Sequence, residues 1–157
     1  MDTGTIEARL TDLGLRLPGP YPPHDPLDAV VVHGGCARTS GQLPRGHDGR
    51  LVHPGVVGGS IDVEQGAEAA MWCALNALSV LRAELGSLDR IERVLTVLGF
   101  VACVAGFEKQ PAVIDGSSRL LFEVFGDAGR HSRSAIGVAA LPRGGAVEIE
   151  VEVALRP

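Results

Sequence analysis

The chain has 157 residues, of which 45% are hydrophobic and 21% charged, and its formal net charge is −5. This composition is that of a globular domain with enough apolar material for a core, and it excludes an intrinsically disordered chain. Lys109 is the only lysine among the 14 basic residues, and no window is rich in arginine. An acidic chain without a basic stripe argues against nucleic acid as a partner. The arginine bias fits GC-rich coding, although a single arginine can also grip a carboxylate in a way that lysine cannot.

The sequence also argues against a membrane partner and an extracellular location. No apolar run reaches the roughly 18 residues of a transmembrane helix, and the segment from Met1 to Leu17 lacks the pattern of a secretory signal. Cys36, Cys73 and Cys103 are odd in number and widely spaced, which favours inert thiols in a reducing cytoplasm. The histidines form no metal-binding pair, so we expect no metal and no cofactor.

The first part of the chain predicts a short helix, a connector and a hairpin. Apolar residues at helical spacing between Ile6 and Leu17 indicate a helix that ends at Gly14 or Pro18. The proline-rich segment 18–26 is an irregular connector, so we assign residues 1–28 to an N-terminal extension and 29–157 to a single domain. Segments 29–32 and 36–40 read as two strands joined by a glycine turn.

Two longer helices and a strand follow. Asp62 and Gln65 have the spacing of a capping box, and the helical pattern continues to a terminating Gly86. Segment 90–104 is rich in β-branched residues and reads as a long strand. Pro111 suits the first turn of a second helix that ends near Gly126, although Gly116 costs that helix about 1 kcal/mol relative to alanine.

The C-terminal part reads as a second hairpin. Segments 134–141 and 146–155 are strands on either side of a Pro-Arg-Gly-Gly turn, and the last one alternates valine or isoleucine with Glu148, Glu150 and Glu152. The element order predicts an α+β fold, a sheet covered on one face by two helices. The other face then meets either water or a partner chain.

Two positions are candidates for chemistry. At the end of the early hairpin, Gly41 is either a point where backbone approaches a ligand closely or an ordinary turn exit. Arg133 begins an otherwise apolar strand, so its charge needs an anionic partner. That partner is either a substrate carboxylate held by two hydrogen bonds or a glutamate of the last strand. If the hairpin turns near Gly144, Glu152 lies nearer to Arg133 than Glu148 does.

His131 is interpreted as a loop residue, with a general base as the alternative reading.

Three segments together resemble the RidA (YjgF) family of reactive-intermediate deaminases. They are residues 39–44 (TSGQLP), 131–142 (HSRSAIGVAALP) and 147–150 (VEIE). The likeness covers most of residues 29–153 in the same element order. The N-terminal helix and the segment 113–126 (VIDGSSRLLFEVFG) indicate a longer side branch of that family.

The resemblance implies a chorismate-mutase-like fold, a homotrimer and active sites in clefts between subunits. Members of the family hydrolyse enamines and imines to 2-oxo acids and ammonia, so the implied ligand is a small carboxylate-bearing imine, enamine or 2-oxo acid. Arg133 falls on the arginine that binds the substrate carboxylate. Gly41 and Glu148 fall on the glycine and glutamate associated with the substrate nitrogen and the attacking water. Ser40, Asp115 and Ala135 complete the predicted substrate-binding set.

Three departures from the family pattern keep a second hypothesis open. Ala135 stands where many members have cysteine, and Asp115 stands near a position that is often asparagine. Leu27 falls roughly where the family has a pocket tyrosine, while Tyr21 lies too early unless the proline-rich loop folds back. The alternative is therefore a non-catalytic trimer that binds 2-oxo acids, as a sensor or a pathway accessory.

Overall fold

A mixed five-stranded sheet lies against two long helices in the computed structural model, which describes residues 4–157. The helices are α1 (Ile6–Asp12), α2 (Val63–Leu85) and α3 (Gln110–Phe125), and the strands are β1 (Val30–His33), β2 (Cys36–Thr39), β3 (Ile91–Ala102), β4 (Ser132–Val138) and β5 (Val147–Leu155). The sheet order is β1-β2-β5-β3-β4, with β3 and β4 parallel and the other neighbours antiparallel. The predicted α+β class is confirmed. Residues 1–3 of the predicted N-terminal extension lie outside the described part of the chain.

Helix α2 begins and ends where the sequence predicts. The Asp62 carboxylate accepts a hydrogen bond from the backbone nitrogen of Gln65 at 2.8 Å, and the Gln65 side chain accepts one from the backbone nitrogen of Asp62 at 3.0 Å. These two bonds satisfy donors that the first turn of a helix leaves unpaired. Gly86 closes the helix with a positive φ of 81°, which a residue with a side chain adopts only at a cost.

Helix α1 is shorter than its apolar pattern, because the chain turns at Gly14 with a φ of 68°. Of the two predicted ends, Gly14 is the correct one. Leu10 is buried within the helix, while Leu15 and Leu17 reach the core from the irregular segment that follows.

The predicted C-terminal hairpin is wrong, because β4 and β5 do not pair. Strand β5 lies between β2 and β3, and β4 lies beside β3 at the edge of the sheet. The inward-facing residues of β5, from Val147 to Val153, are almost fully buried, as suits a central strand, whereas β4 is largely exposed. Helix α3 supplies the long crossover that a parallel pair such as β3 and β4 requires.

Gly116 lets α2 and α3 approach closely. A Cβ atom at this position would overlap the backbone carbonyl of Ala67 on α2. The residue that weakens the helix by propensity therefore permits the contact between the two helices. The largest fully buried side chains fill the space between these helices and the sheet and include Leu78, Leu81, Ile114, Leu121 and Ile149.

None of the helices in residues 4–157 is both long enough and apolar enough to span a membrane.

Candidate functional site

Arg133 lies on β4 and points toward α3. Its Nη1 atom donates to Oδ1 of Asp115 at 2.8 Å and to Oγ of Ser118 at 3.2 Å. Residues three apart on a helix lie on the same side, so α3 presents both groups to one guanidinium nitrogen. The charge of Arg133 is therefore partnered within the chain, but by a helix carboxylate and not by a glutamate of the last strand.

His131 continues this hydrogen-bond network. Its Nδ1 lies 2.6 Å from the carbonyl oxygen of Gly129, and its Nε2 lies 2.9 Å from Oγ of Ser118. A carbonyl oxygen only accepts, so Nδ1 carries the proton. In the neutral ring Nε2 then accepts from the Ser118 hydroxyl, which in turn accepts from Arg133. His131 lies in the loop before β4, as interpreted, and hydrogen bonds fix its ring there.

Arg133 keeps one edge of its guanidinium available. Both hydrogen bonds use Nη1, and neither Nε nor Nη2 has a hydrogen-bond partner among residues 4–157. These two nitrogens form the planar fork that matches a carboxylate. Arg133 lines an open cleft of about 290 Å³, which we call the Arg133 cleft and whose other lining residues are Ser118, Phe122, Gly129, Arg130 and His131.

Ala135 and Asp115, two members of the predicted substrate-binding set, lie near Arg133. Ala135 is two residues further along β4, so its side chain points to the same face of the sheet as Arg133. Asp115 contacts Arg133 directly, and one of its oxygens lies 3.9 Å from Arg119 as well. A carboxylate therefore stands at the predicted substrate arginine and offsets part of its charge.

Gly41 and Glu148 form a second group at the other side of the sheet. Gln42 exchanges backbone hydrogen bonds with Ile149 at 2.8 and 3.1 Å, which holds Gly41 beside β5. A Cβ atom at position 41 would overlap the Glu148 carboxylate, so the glycine is what allows this carboxylate to lie against the backbone. Burial, and secondarily the charge of Glu150, raises the pKa of Glu148. A carboxylate with a raised pKa is a stronger base than an ordinary one.

The Ser40 hydroxyl donates to the carbonyl oxygen of Asp28 at 2.6 Å, and the Ser40 backbone nitrogen donates to Ala29. These bonds fix the end of β2, and they leave the Ser40 hydroxyl oxygen as an acceptor.

Tyr21 lies beside Ser40 and Gly41, because the proline-rich loop does fold back. Its hydroxyl donates to the carbonyl oxygen of Gly46 at 2.6 Å, and the Arg45 guanidinium lies 5.3 Å from the ring centre. The ring borders a cavity of about 100 Å³, the Gly41 pocket, lined by Tyr21, Pro22, Pro23, Ser40, Gly41, Gln42, Leu43, Arg45 and Asn76. Leu27, in contrast, is 53% exposed and does not line this pocket.

The two groups lie on opposite faces of the sheet within one chain. Arg133 pairs with Val97 of β3, whose side chain faces the helices, whereas Glu148 pairs with Phe100 and alternates with the buried residues of β5. The prediction that Glu152 lies near Arg133 is wrong, because it depended on the hairpin that does not form. Glu152 is paired with Thr96 on the face away from the helices.

The sequence reasoning missed Ser118, Arg130 and the position of Tyr21. The three-residue spacing of Asp115 and Ser118 on a predicted helix was a signal that could have identified Ser118. Nothing local indicated which segment Tyr21 contacts. Within the described residues, no three His, Cys, Asp or Glu side chains come together in a way that could hold a metal ion.

The cysteines differ in their surroundings. Cys73 is fully buried, and this burial, followed by the charge of Glu148, raises the pKa of its thiol well above the ordinary value. Cys36 and Cys103 are only partly buried.

Comparisons with known proteins place these observations in a family. Residues 7–148 match the family described as "YjgF/chorismate mutase-like, putative endoribonuclease". Protein TCP17 of Trypanosoma cruzi is 40% identical over 154 residues, which are 98% of this chain and 96% of that protein.

Two solved structures resemble the fold along nearly its whole length. Atu1372 from Agrobacterium tumefaciens, a protein of unknown function, is 39% identical with a TM-score of 0.89, and the match covers 98% of this chain and 94% of that one. A protein of Shewanella oneidensis described as "a putative endoribonuclease" is 31% identical with a TM-score of 0.92, over 97% of this chain and 100% of that one. The match to the family spans most of the sequence, and the chain therefore belongs to the YjgF/chorismate mutase-like family.

Proposed function

We propose that the protein hydrolyses small 2-imino acids to 2-oxo acids and ammonia. The observation that carries this proposal is Arg133, which lines an open cleft and whose Nε and Nη2 atoms have no hydrogen-bond partner among residues 4–157. A guanidinium fork binds a carboxylate with two parallel hydrogen bonds. The resemblance of segments 39–44, 131–142 and 147–150 to the RidA family supplies the reaction class.

The reaction needs a bound carboxylate and an oriented water. In the proposed site, Arg133 holds the substrate carboxylate and Glu148 takes a proton from water. The water oxygen bonds to the imine carbon while the C=N electron pair moves to nitrogen. Glu148 returns its proton, so that the nitrogen of this intermediate becomes an amine. The hydroxyl proton then passes to that nitrogen as the C–N bond breaks, ammonia leaves, and the C=O bond of the 2-oxo acid forms. Fixing a reactive carbon beside a water accounts for much of such a rate enhancement.

The site of this proposal is formed between two copies of the chain. Arg133 and Glu148 lie on opposite faces of one sheet, so a single chain does not bring them to one substrate. A homotrimer, as the family resemblance implies, lets the Arg133 cleft of one subunit meet the Glu148 side of the next.

The test is ammonia release from freshly generated 2-iminopropanoate. We expect the wild-type protein to exceed the uncatalysed rate, and Arg133→Ala and Gly41→Ala to lose most of that excess. The Gly41→Ala variant is informative because its Cβ displaces only the end of the flexible Glu148 side chain, so the fold persists. Arg82→Ala, on the exposed end of α2, is the control with unchanged activity.

Equal rates for the wild-type protein, Arg133→Ala and the uncatalysed reaction would refute the deaminase proposal. Saturable binding of 2-oxo acids without turnover of any imine would instead favour the ligand-binding trimer. The contact between Asp115 and Arg133 is the observation that favours this second function, because the carboxylate offsets part of the arginine's charge.

A further inference from the structure

The Arg133 cleft contains a second guanidinium. Arg130 precedes β4 by two residues and lines the same cleft as Arg133, and none of the six lining residues is acidic. Arg130 lies before the strand begins, and its guanidinium stacks over Phe122 of α3, so both arginines lie on the helix side of the sheet. Two arginine side chains that line one cleft offer donors to a ligand that carries two negative groups.

Contacts with its neighbours restrict the Arg130 side chain, but they use only one of its three guanidinium nitrogens as a hydrogen-bond donor. Its Nε donates to Oδ1 of Asp127 at 3.1 Å, and its guanidinium carbon lies 4.9 Å from the centre of the Phe122 ring. The Asp127 side chain is 93% exposed, so this ion pair is weak in water. Both Nη atoms of Arg130 lack a hydrogen-bond partner among the residues that the structure describes. The aromatic contact restricts the side chain and leaves these donors for a ligand.

The charges around the cleft favour an anion. Arg93 donates to the carbonyl oxygen of Arg130, and Arg119 lies 3.9 Å from Asp115, so two further guanidinium groups lie close to the residues that line the cleft. Asp115 and Asp127 pair with Arg133 and Arg130 through one nitrogen each. A ligand with one carboxylate satisfies Arg133 and leaves Arg130 with its exposed ion pair. A ligand with two carboxylates satisfies both arginines.

We propose that the Arg133 cleft selects short-chain dicarboxylates, with Arg133 holding the carboxylate next to the imino or oxo carbon and Arg130 the distal one. This inference rests on the proposed function for the reaction that follows binding. It makes 2-imino dicarboxylic acids the preferred substrate class. Arg130 is then the residue that determines specificity.

Calorimetric titration with two matched ligands tests this selectivity. 2-Oxoglutarate and 2-oxopentanoate have the same carbon chain and differ in the terminal carboxylate. A hydrogen bond to a charged group is stronger than one between neutral groups, so we expect wild-type protein to bind 2-oxoglutarate at least about tenfold more tightly. Arg130→Ala and Arg130→Gln should bind the two ligands with equal affinity, and Arg82→Ala should retain the wild-type preference.

The outcomes separate this inference from the proposed function. Equal affinities for the two ligands in wild-type protein, a preference that survives in both Arg130 variants, or no binding of either ligand would overturn the dicarboxylate proposal. Binding needs no turnover, so the preference can be established even if no imine is hydrolysed. Conversely, hydrolysis of 2-iminopropanoate without any preference for dicarboxylates would support the deaminase proposal and refute the proposed specificity.

Discussion

At the scale of single residues, the site is governed by which charges have partners. Arg133 binds Asp115 through one nitrogen only, so the pair fixes the orientation of the guanidinium and still leaves its fork open. Glu148 has the opposite arrangement, since its carboxylate lies against the Gly41 backbone and its pKa is raised mainly by burial. An oriented cation and a carboxylate of raised basicity are the two groups that the proposed imine hydrolysis uses.

The raised pKa of Glu148 predicts a pH-dependent effect on stability. A carboxyl group whose pKa is higher in the folded state binds its proton more tightly there, so the folded protein loses stability as the pH rises through the interval between the two pKa values. Glutamine cannot ionise. We therefore expect Glu148→Gln to have a higher Tm than wild type at pH 7, with this advantage disappearing below about pH 4, where the carboxyl group is protonated in both states.

Thermal unfolding between pH 4 and pH 8 measures this difference. Glu92→Gln, at an exposed position of β3, corrects for the loss of one negative charge from an acidic chain. A Tm difference between Glu148→Gln and wild type that is the same at every pH would show that Glu148 is not held in a desolvated position.

At the scale of elements, the contact between α2 and α3 reverses an ordinary rule of helix propensity. Alanine is favoured over glycine inside an exposed helix by about 1 kcal/mol. Gly116, however, lies where a Cβ atom would overlap the Ala67 carbonyl, which belongs to the backbone and cannot rotate away. Moving α3 outward would also disturb Asp115 and Ser118, which hold Arg133.

We expect Gly116→Ala to destabilise the protein by about 1–3 kcal/mol, as overpacking does in cores. Chemical denaturation measures the free energy of unfolding. A stabilised variant would mean that propensity outweighs packing at this position. Because α3 carries the partners of Arg133, we also expect the variant to bind 2-oxo acids more weakly than wild type does.

At the scale of the whole molecule, the face of the sheet away from the helices requires an explanation. Ile136 on β4 is 45% exposed there and pairs with Phe100, while Glu148, Glu150 and Glu152 project from the same face. Arg38 forms an ion pair with Glu150 at 2.7 Å on this face. In the proposed trimer, this mixed surface is covered by neighbouring copies, and the two halves of each site come together across the boundary.

The proposed assembly predicts a native mass of three chains of 16.3 kDa each. Ile136→Arg places a charge on the apolar part of the contact surface, so we expect it to shift the protein toward the monomer and to abolish imine hydrolysis. Ile136→Val keeps the surface apolar and should remain trimeric. Light scattering after gel filtration measures both masses, and a monomeric wild-type protein would contradict the shared site.

The sequence by itself determined the features that depend on neighbouring residues. The ends of α2 follow from Asp62, Gln65 and Gly86, because capping bonds join residues within a few positions of one another. The alternation of β5 likewise identified its buried face. Arg133 stood out because a charge at the start of an apolar strand needs a partner.

Only the tertiary structure decided which distant segments meet. Periodicity shows which face of a strand is buried, but not which strand lies beside it, so β5 was expected next to β4 and lies instead between β2 and β3. This placement puts Glu148 and Arg133 on opposite faces and gives Arg133 its partner on α3. The tertiary structure likewise decides that Tyr21 lies beside Gly41. Contacts between segments far apart in sequence are set by the packing of the whole chain.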